Sequence, residues 1–129
     1  MPLIAVVAAI VAGLVHVYIF VLESLWFDRP AVWRRFGIAS ESDVRVVRSF
    51  AFNQGFYNLF LAIGVAIGLG LLVAGEADAG RAIVAFACGS MVAAGSVLLA
   101  HNRALIRGAA IQIVPALVAV ITLALVPSM

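Results

Sequence analysis

The sequence predicts an all-α fold, a bundle of four transmembrane helices formed by a single integral membrane domain over residues 1–129. The first observation is a set of four long apolar stretches, at about residues 3–26, 50–73, 82–100 and 109–126. Each is close to the roughly 20 apolar residues that an α-helix needs to cross the hydrocarbon core of a bilayer. The second is composition, since 66% of residues are hydrophobic and 11% are charged, with a mean hydropathy of +1.22. Soluble domains carry roughly 25% charged residues, so the sequence predicts a multi-pass protein in contact with the lipid bilayer.

The third observation is the placement of the eight arginines, in a chain without lysine. Seven lie in the connection of residues 27–49 or in the turn of residues 101–108, whereas the connection of residues 74–81 holds only Arg81. Because basic loops favour the cytoplasmic side, we expect both termini to be extracytoplasmic. Arginine-only basic usage with many Ala and Val residues is typical of a GC-rich bacterial genome, which indicates a bacterial cytoplasmic membrane. No patch suited to nucleic acid is visible, so a nucleic-acid partner is not expected.

The first span and the connection after it have further signals. The span is too long for the core of a signal peptide and no basic residue precedes it, so we expect it to be retained as a helix. Pro30, just after Asp28, and the hydrophobic residues among the arginines predict a short interfacial helix, with Trp26 and Trp33 at headgroup depth. Residues 40–43, Ser-Glu-Ser-Asp, are typical of a helix N-terminal cap and predict a second short helix or an extension of the second span. A basic loop with no role beyond topology is the alternative.

Small residues recur in the second and third spans. Gly64 and Gly68 form a Gly-x-x-x-Gly pair, and the third span carries Gly89 and Gly95 with alanines between them. Such surfaces let helix backbones approach closely in lipid. Packing within the bundle explains them, and the small-residue surface that remains predicts self-association into a homo-oligomer. Cys88, the only cysteine, is expected to be an inert buried thiol in the third span.

Most uncharged polar side chains lie toward the arginine-rich end of the spans. His16 and Glu23 are seven residues apart in the first span, almost two helical turns, so they share a face and lie about 10 Å apart along the axis. The second span opens with Asn-Gln-Gly-Phe-Tyr-Asn, and its four polar residues predict one broad polar face: Asn53, Gln54, Tyr57 and Asn58. His101 ends the third span, and Gln112 lies near the start of the fourth.

Ionisable groups inside a span are costly and usually carry function. We therefore expect His16 and Glu23 to face the bundle interior, close to the polar face of residues 53–58, and one of the two to hydrogen-bond a residue of that face. With Gln112, these groups predict a polar pocket in the cytoplasmic half of the bundle, and the leading interpretation is that it binds a small or lipophilic ligand or a cofactor. The structural alternative is that Asn and Gln side chains only hold helices together.

The sequence leaves the chemistry of such a pocket open. A membrane enzyme would use His16 and Glu23 as acid and base on a lipophilic substrate, with polarising roles for residues of the second span: Asn53, Tyr57 and Asn58. His16, Glu23 and His101 supply the two histidines and one carboxylate of a minimal metal site. Haem could bind through His16 or His101. A small proton- or ion-coupled transporter or channel subunit is the main alternative, and a structural or partner-binding membrane protein is the second.

Three parts of the sequence resemble the domain of unknown function 1304 family. They are the His-x6-Glu spacing of His16 and Glu23, the string at residues 53–58, and Gln112 followed by Pro115-Ala116. The family consists of short, predicted four-helix membrane proteins, and the resemblance covers essentially the whole chain. It implies the four-helix fold and emphasises the same polar residues, but it implies no activity, substrate or cofactor. His101 matches no firm part of the family's pattern.

Overall fold

The structure is a computed structural model that describes residues 1–126, and these residues are almost wholly helical. Five α-helices follow in chain order: α1 (Leu3–Phe20), α2 (Pro30–Trp33), α3 (Glu41–Val73), α4 (Ala77–His101) and α5 (Ile106–Leu125). A π-helical turn, Val21–Leu25, continues α1, and 3-10 turns occupy Arg34–Phe36 and Arg103–Leu105. Four helical segments are long and apolar enough to cross a membrane: Leu3–Leu25, Glu41–Val73, Ala77–His101 and Arg103–Leu125. The predicted all-α architecture with four spans is confirmed.

The bundle has an up-and-down topology. α1 packs against α3 and α5, and α4 packs against the same two helices, whereas α1 and α4 have little contact across the diagonal. Residues 26–40 and 102–105 connect the helices at one end, which we call the arginine-rich end. The termini of the bundle and residues 74–76 lie at the other, which we call the opposite end.

α3 begins about nine residues earlier than the predicted start of the second span. Ser40 caps it, because its hydroxyl oxygen accepts from the backbone N–H of Asp43 at 3.3 Å. Glu41 and Asp43 place negative charge in the first turn, where the helix dipole favours it. Of the two alternatives for residues 40–43, the extension of the second span is therefore the one observed.

The turn from α3 to α4 is tight because Gly75 adopts a left-handed conformation, with φ of 91°. Its backbone N–H donates to the carbonyl of Leu72, and the N–H of Glu76 donates to the carbonyl of Leu71. These two bonds satisfy carbonyl groups that the helix end would otherwise leave unpaired. The turn brings α4 back against α3 at the opposite end.

α3 and α4 come into backbone contact near this turn. A Cβ atom added to Gly80 would lie 2.7 Å from the carbonyl oxygen of Gly68, and one added to Gly68 would lie 2.7 Å from Cγ2 of Val84. Gly64 faces Ala87 at ordinary van der Waals distance. The Gly-x-x-x-Gly pair therefore packs inside the bundle, so any self-association has to use other surface.

Small apolar side chains form the core of the bundle. Alanines on α1 and α5 are fully buried and share one hydrophobic cluster with α3 and α4 residues. Its largest fully buried apolar side chains lie on α4: Met91, Val84 and Cys88. Burial of the Cys88 thiol agrees with the expected inert cysteine.

A second, smaller hydrophobic cluster lies at the arginine-rich end. Phe27, Trp33 and Val44 are buried together, and Asp28 forms a salt bridge with Arg48 of α3 at 2.7 Å. The helix predicted at Pro30 is present but has only four residues. Trp33 is 4% exposed, because the connection folds onto the extended start of α3. Trp33 therefore packs against the protein, and its depth in the membrane stays a prediction.

At the opposite end, Arg81 of α4 fixes the end of α5. Its Nη2 atom donates to the carbonyl of Leu123 at 3.0 Å and to that of Val126 at 2.6 Å. A cationic side chain at a helix C-terminus satisfies free carbonyls and interacts favourably with the helix dipole. The arginine that stands alone in the sequence of this end thus ties the last helix to its neighbour.

Candidate functional site

The last turn of α1 is a π-helix, Val21–Leu25, and it holds Glu23. The backbone N–H of Trp26 bonds the carbonyl of Val21 at 2.9 Å, five residues back. A π-helical turn accommodates one more residue than an α-helical turn, and such turns are frequent at functional sites. Sequence reasoning missed this turn, because no residue type in Val21–Leu25 distinguishes it from an α-helical turn.

Glu23 lies against α3 and is hydrogen-bonded to it. The amide nitrogen of Asn58 donates to Oε2 of Glu23 at 2.9 Å and also to the carbonyl of Gln54 at 3.1 Å. Asn58 is buried, and Glu23 is partly buried. The predicted hydrogen bond between the first span and the polar string of the second is confirmed, and it joins Glu23 to Asn58.

Gly55 permits this close approach of α1 and α3. A Cβ atom added there would collide with the hydroxyl of Ser24 and lie 3.1 Å from Cβ of Glu23. The Ser24 hydroxyl in turn donates to the carbonyl of Phe52 at 2.8 Å. The glycine inside the Asn-Gln-Gly-Phe-Tyr-Asn string therefore has a steric role, which is to admit the two polar residues of the π turn.

His16 is 1% exposed, so it faces the bundle interior as expected. Its Nδ1 atom is 2.9 Å from the carbonyl of Ala12, one turn earlier. In the neutral ring this bond makes Nδ1 the donor and leaves Nε2 as an acceptor. His16 makes no hydrogen bond to Glu23 within the described residues, so the two groups do not form a directly bonded acid–base pair.

The other polar residues of the string point elsewhere. Asn53, Gln54 and Tyr57 are exposed, and Tyr57 packs edge-on against Phe60 with ring centroids 6.4 Å apart. The buried face of α3 follows helical spacing through Gly55, Asn58, Ala62 and Val65. The expectation that all four polar residues form one inward-facing surface is wrong, because only Asn58 lies on the buried face. A ligand contact by the other three stays a prediction.

Gln112 and His101 lie on different parts of the bundle. Gln112 is partly buried on α5, and its Cγ atom would be 3.2 Å from a Cβ added to Gly95 of α4. His101 is exposed at the end of α4. Within residues 1–126, no three His, Cys, Asp or Glu side chains are grouped so that they could hold a metal ion.

The metal site predicted from His16, Glu23 and His101 is therefore not formed by the described chain. Two of its members belong to α1 and its π turn, whereas His101 is exposed at the end of α4, the helix across the diagonal from α1. Haem ligation by His16 or His101 stays a prediction.

Aromatic side chains border the site. The Phe20 and Phe56 rings meet edge to face at 5.1 Å across the contact between α1 and α3, and Phe52 packs on Phe56 at the same distance. The contact between α1 and its π turn on one side and α3 on the other thus holds both the hydrogen bond from Asn58 to Glu23 and the aromatic pair of Phe20 and Phe56. An apolar group with a hydrogen-bond donor would match both surroundings.

These features define a class, a multi-pass membrane protein of four helices with a partly buried carboxylate between its first two spans. The family model described as "Protein of unknown function (DUF1304)" matches residues 10–124. The chain belongs to this family, as its sequence resemblance indicated. The matched range includes His16, Glu23 and Asn58. No curated protein and no solved structure matched the chain.

Proposed function

We propose that this protein binds a small or lipophilic molecule at the contact between Glu23 and Asn58. The observation that carries the proposal is the hydrogen bond from Asn58 to Glu23, made by a π-helical turn that is seated on Gly55. Holding a carboxylate within a span is costly, and three local features are arranged to hold this one. If position 23 were needed only for packing between α1 and α3, an apolar residue would suffice there.

The chemistry of the site indicates what the molecule carries. Oε2 of Glu23 accepts from Asn58, and Oε1 has no hydrogen-bond partner within the described residues. Oε1 is therefore free for a donor such as an amine, amide or hydroxyl group. The aromatic pair of Phe20 and Phe56 suits an apolar body next to that donor. In the enzymatic form of the proposal, Glu23 and His16 are the acid–base groups and act on a substrate that lies between them.

The transport alternative has less support. Its path would cross the opposite half of the bundle, where the buried side chains of the described residues are apolar. The structural alternative, in which Asn58 only holds α1 to α3, is the one that the experiment must exclude.

The test compares the molecules that remain bound after purification in a mild detergent. Wild type, Glu23→Gln and the control Glu76→Gln are extracted and analysed by mass spectrometry. Glu76 is exposed at the opposite end, so its variant makes the same chemical change away from the site. We expect a species that is retained by wild type and the control and lost from Glu23→Gln. Identical profiles from all three proteins would leave only the packing role.

We further propose that the arginine-rich end faces the cytoplasm of a bacterial cell, with both termini outside. The support is the seven-to-one distribution of arginines between the two ends. A C-terminal reporter that is active only in the cytoplasm should give no signal. A strong signal would reverse the orientation and place the site in the outer half of the membrane.

Self-association is also part of the proposal. Gly89 of α4 has open space around its added Cβ position, so this surface is free for a second copy. Crosslinking in mild detergent should capture a dimer or larger oligomer, and capture of monomer alone would contradict the proposal.

A further inference from the structure

A groove separate from the Glu23 site opens between α4 and α5 at the arginine-rich end. It is open along one side, and its volume is about 430 Å³. Residues of α4, of the 3-10 turn and of α5 line it: Ser96, Leu99, Ala100, Arg103 and Ile106. One charged side chain therefore stands in a groove with mainly apolar walls.

The backbone fixes Arg103 at this position. Asn102 leaves the helical conformation at the end of α4, and its side-chain oxygen accepts from the backbone N–H of Ala104 at 3.0 Å. This cap starts the 3-10 turn with Arg103 as its first residue. The position of the arginine beside the groove thus follows from a capped turn rather than from a loose connection.

The elements that line the groove offer this arginine no counter-charge. No Asp or Glu follows Asp78 in the sequence, so α4 beyond its first turn, the 3-10 turn and α5 contain only basic charges. Within the described residues, Arg103 forms no salt bridge. A negative group from outside the chain would complement this charge.

We propose that the groove binds one anionic phospholipid, with its phosphate on Arg103 and an acyl chain against Leu99 and Ile106. The guanidinium group matches phosphate geometry and can donate two parallel hydrogen bonds. The apolar walls suit a hydrocarbon chain, and basic pockets between transmembrane helices are known to hold anionic headgroups. This site shares no residue with the Glu23 site and does not depend on its function.

The test measures lipid binding by native mass spectrometry of the purified protein. Phosphatidylglycerol is titrated against phosphatidylcholine, for wild type, Arg103→Gln and the control Arg45→Gln. Arg45 is exposed on α3, outside the groove, so the control removes the same charge from the same end. We expect Arg103→Gln to weaken phosphatidylglycerol binding about tenfold, as for loss of a charge-assisted hydrogen bond, and Arg45→Gln to change it less than twofold.

A second variant tests the contribution of the apolar walls of the groove separately from that of the arginine charge. Ala100→Trp keeps every arginine and places a large ring in the groove, so it should also weaken phosphatidylglycerol binding. Equal losses for Arg103→Gln and Arg45→Gln would show diffuse attraction and overturn the site, as would unchanged binding to Ala100→Trp. Competition by inorganic phosphate at the same concentration as the lipid would show a phosphate site and also overturn the proposal.

Discussion

The two halves of the bundle both use glycine to bring helices together, but for different purposes. In the opposite half, Gly68 and Gly80 let two backbones touch, and the neighbouring side chains are apolar. In the arginine-rich half, Gly55 admits Ser24 and Glu23, which then hydrogen-bond the partner helix. The first arrangement gains dispersion contacts alone, which is a common basis for helix association in lipid. The second gives up some of that packing to hold a carboxylate, and the proposed binding role rests on this difference.

The largest effect should come from overfilling the opposite half. Gly80→Leu would place a side chain where α3 and α4 backbones meet, so the helices must separate. We expect the free energy of unfolding in mixed micelles to fall by about 3 kcal/mol, the upper part of the range for overpacked cores. Reversible unfolding in mixed micelles measures it.

Gly89→Ala on the same helix is the control, because nothing lies within 4 Å of its added Cβ atom. It should change stability by less than about 0.5 kcal/mol. Similar losses for both variants would mean that α4 tolerates no added side chain, so the backbone contact would not be what distinguishes this half.

Gly55→Ala should have the next largest effect, on the order of 2 kcal/mol, because its methyl group meets the hydroxyl of Ser24. Adding Ser24→Ala removes that hydroxyl and should restore part of the lost stability. Gly70→Ala is the control on the same helix, since its added Cβ atom has open space. A double variant no more stable than Gly55→Ala alone would contradict the steric role assigned to this glycine.

Glu23→Ala removes the acceptor of the Asn58 amide and should cost about 1–2 kcal/mol, because it leaves a buried donor with one bond fewer. Glu23→Gln keeps an acceptor oxygen and should lose less stability, while it still loses any activity that needs the carboxylate. Equal stability losses for the two variants would show that the hydrogen bond contributes nothing, and would weaken the contrast between the two halves.

Arg81→Gln should have the smallest effect, about 1 kcal/mol, because both of its hydrogen bonds lie near the protein surface. The loss should be local, with faster amide hydrogen exchange in the last turn of α5 and no change around Glu23. Faster exchange throughout the bundle would show that the two halves unfold together rather than separately.

Hydropathy predicted the four spans because crossing a bilayer sets both their length and their composition. The early start of α3 was harder to predict, because residues 41–50 contain both charged and apolar residues, a composition that is also typical of a connection between helices. The N-terminal cap at Ser40 was the feature of the sequence that indicated a helix over these residues. The burial of Trp33 was not predicted, because it depends on the packing of its segment against Val44 of α3, which residue type alone does not show.

The candidate site was predicted in part. Helical spacing predicted that His16 and Glu23 share a face of the first span. The free-energy cost of polar groups in lipid predicted that this face is turned toward the bundle interior. The same spacing could not fix the rotation of α3, so Asn53 and Tyr57 were placed on the wrong surface. The small residues Gly55 and Ala62, which flank Asn58 on the buried face, were a signal that could have fixed this rotation. The π turn was not predicted, since no residue type in Val21–Leu25 distinguishes it from an α-helical turn.

The position of α1 between α3 and α5 has a consequence for how the chain is made. Ribosomes deliver α1 first and α5 last, and the buried alanines of both helices share one cluster. The inner face of α1 is therefore incompletely covered while α3 and α4 are synthesised and inserted. Ala116 and Ala119 close that face only when the final helix enters the membrane. The bonds from Arg81 to the end of α5 then form last, and a chain that ends before Ala116 would leave the inner face of α1 open to lipid.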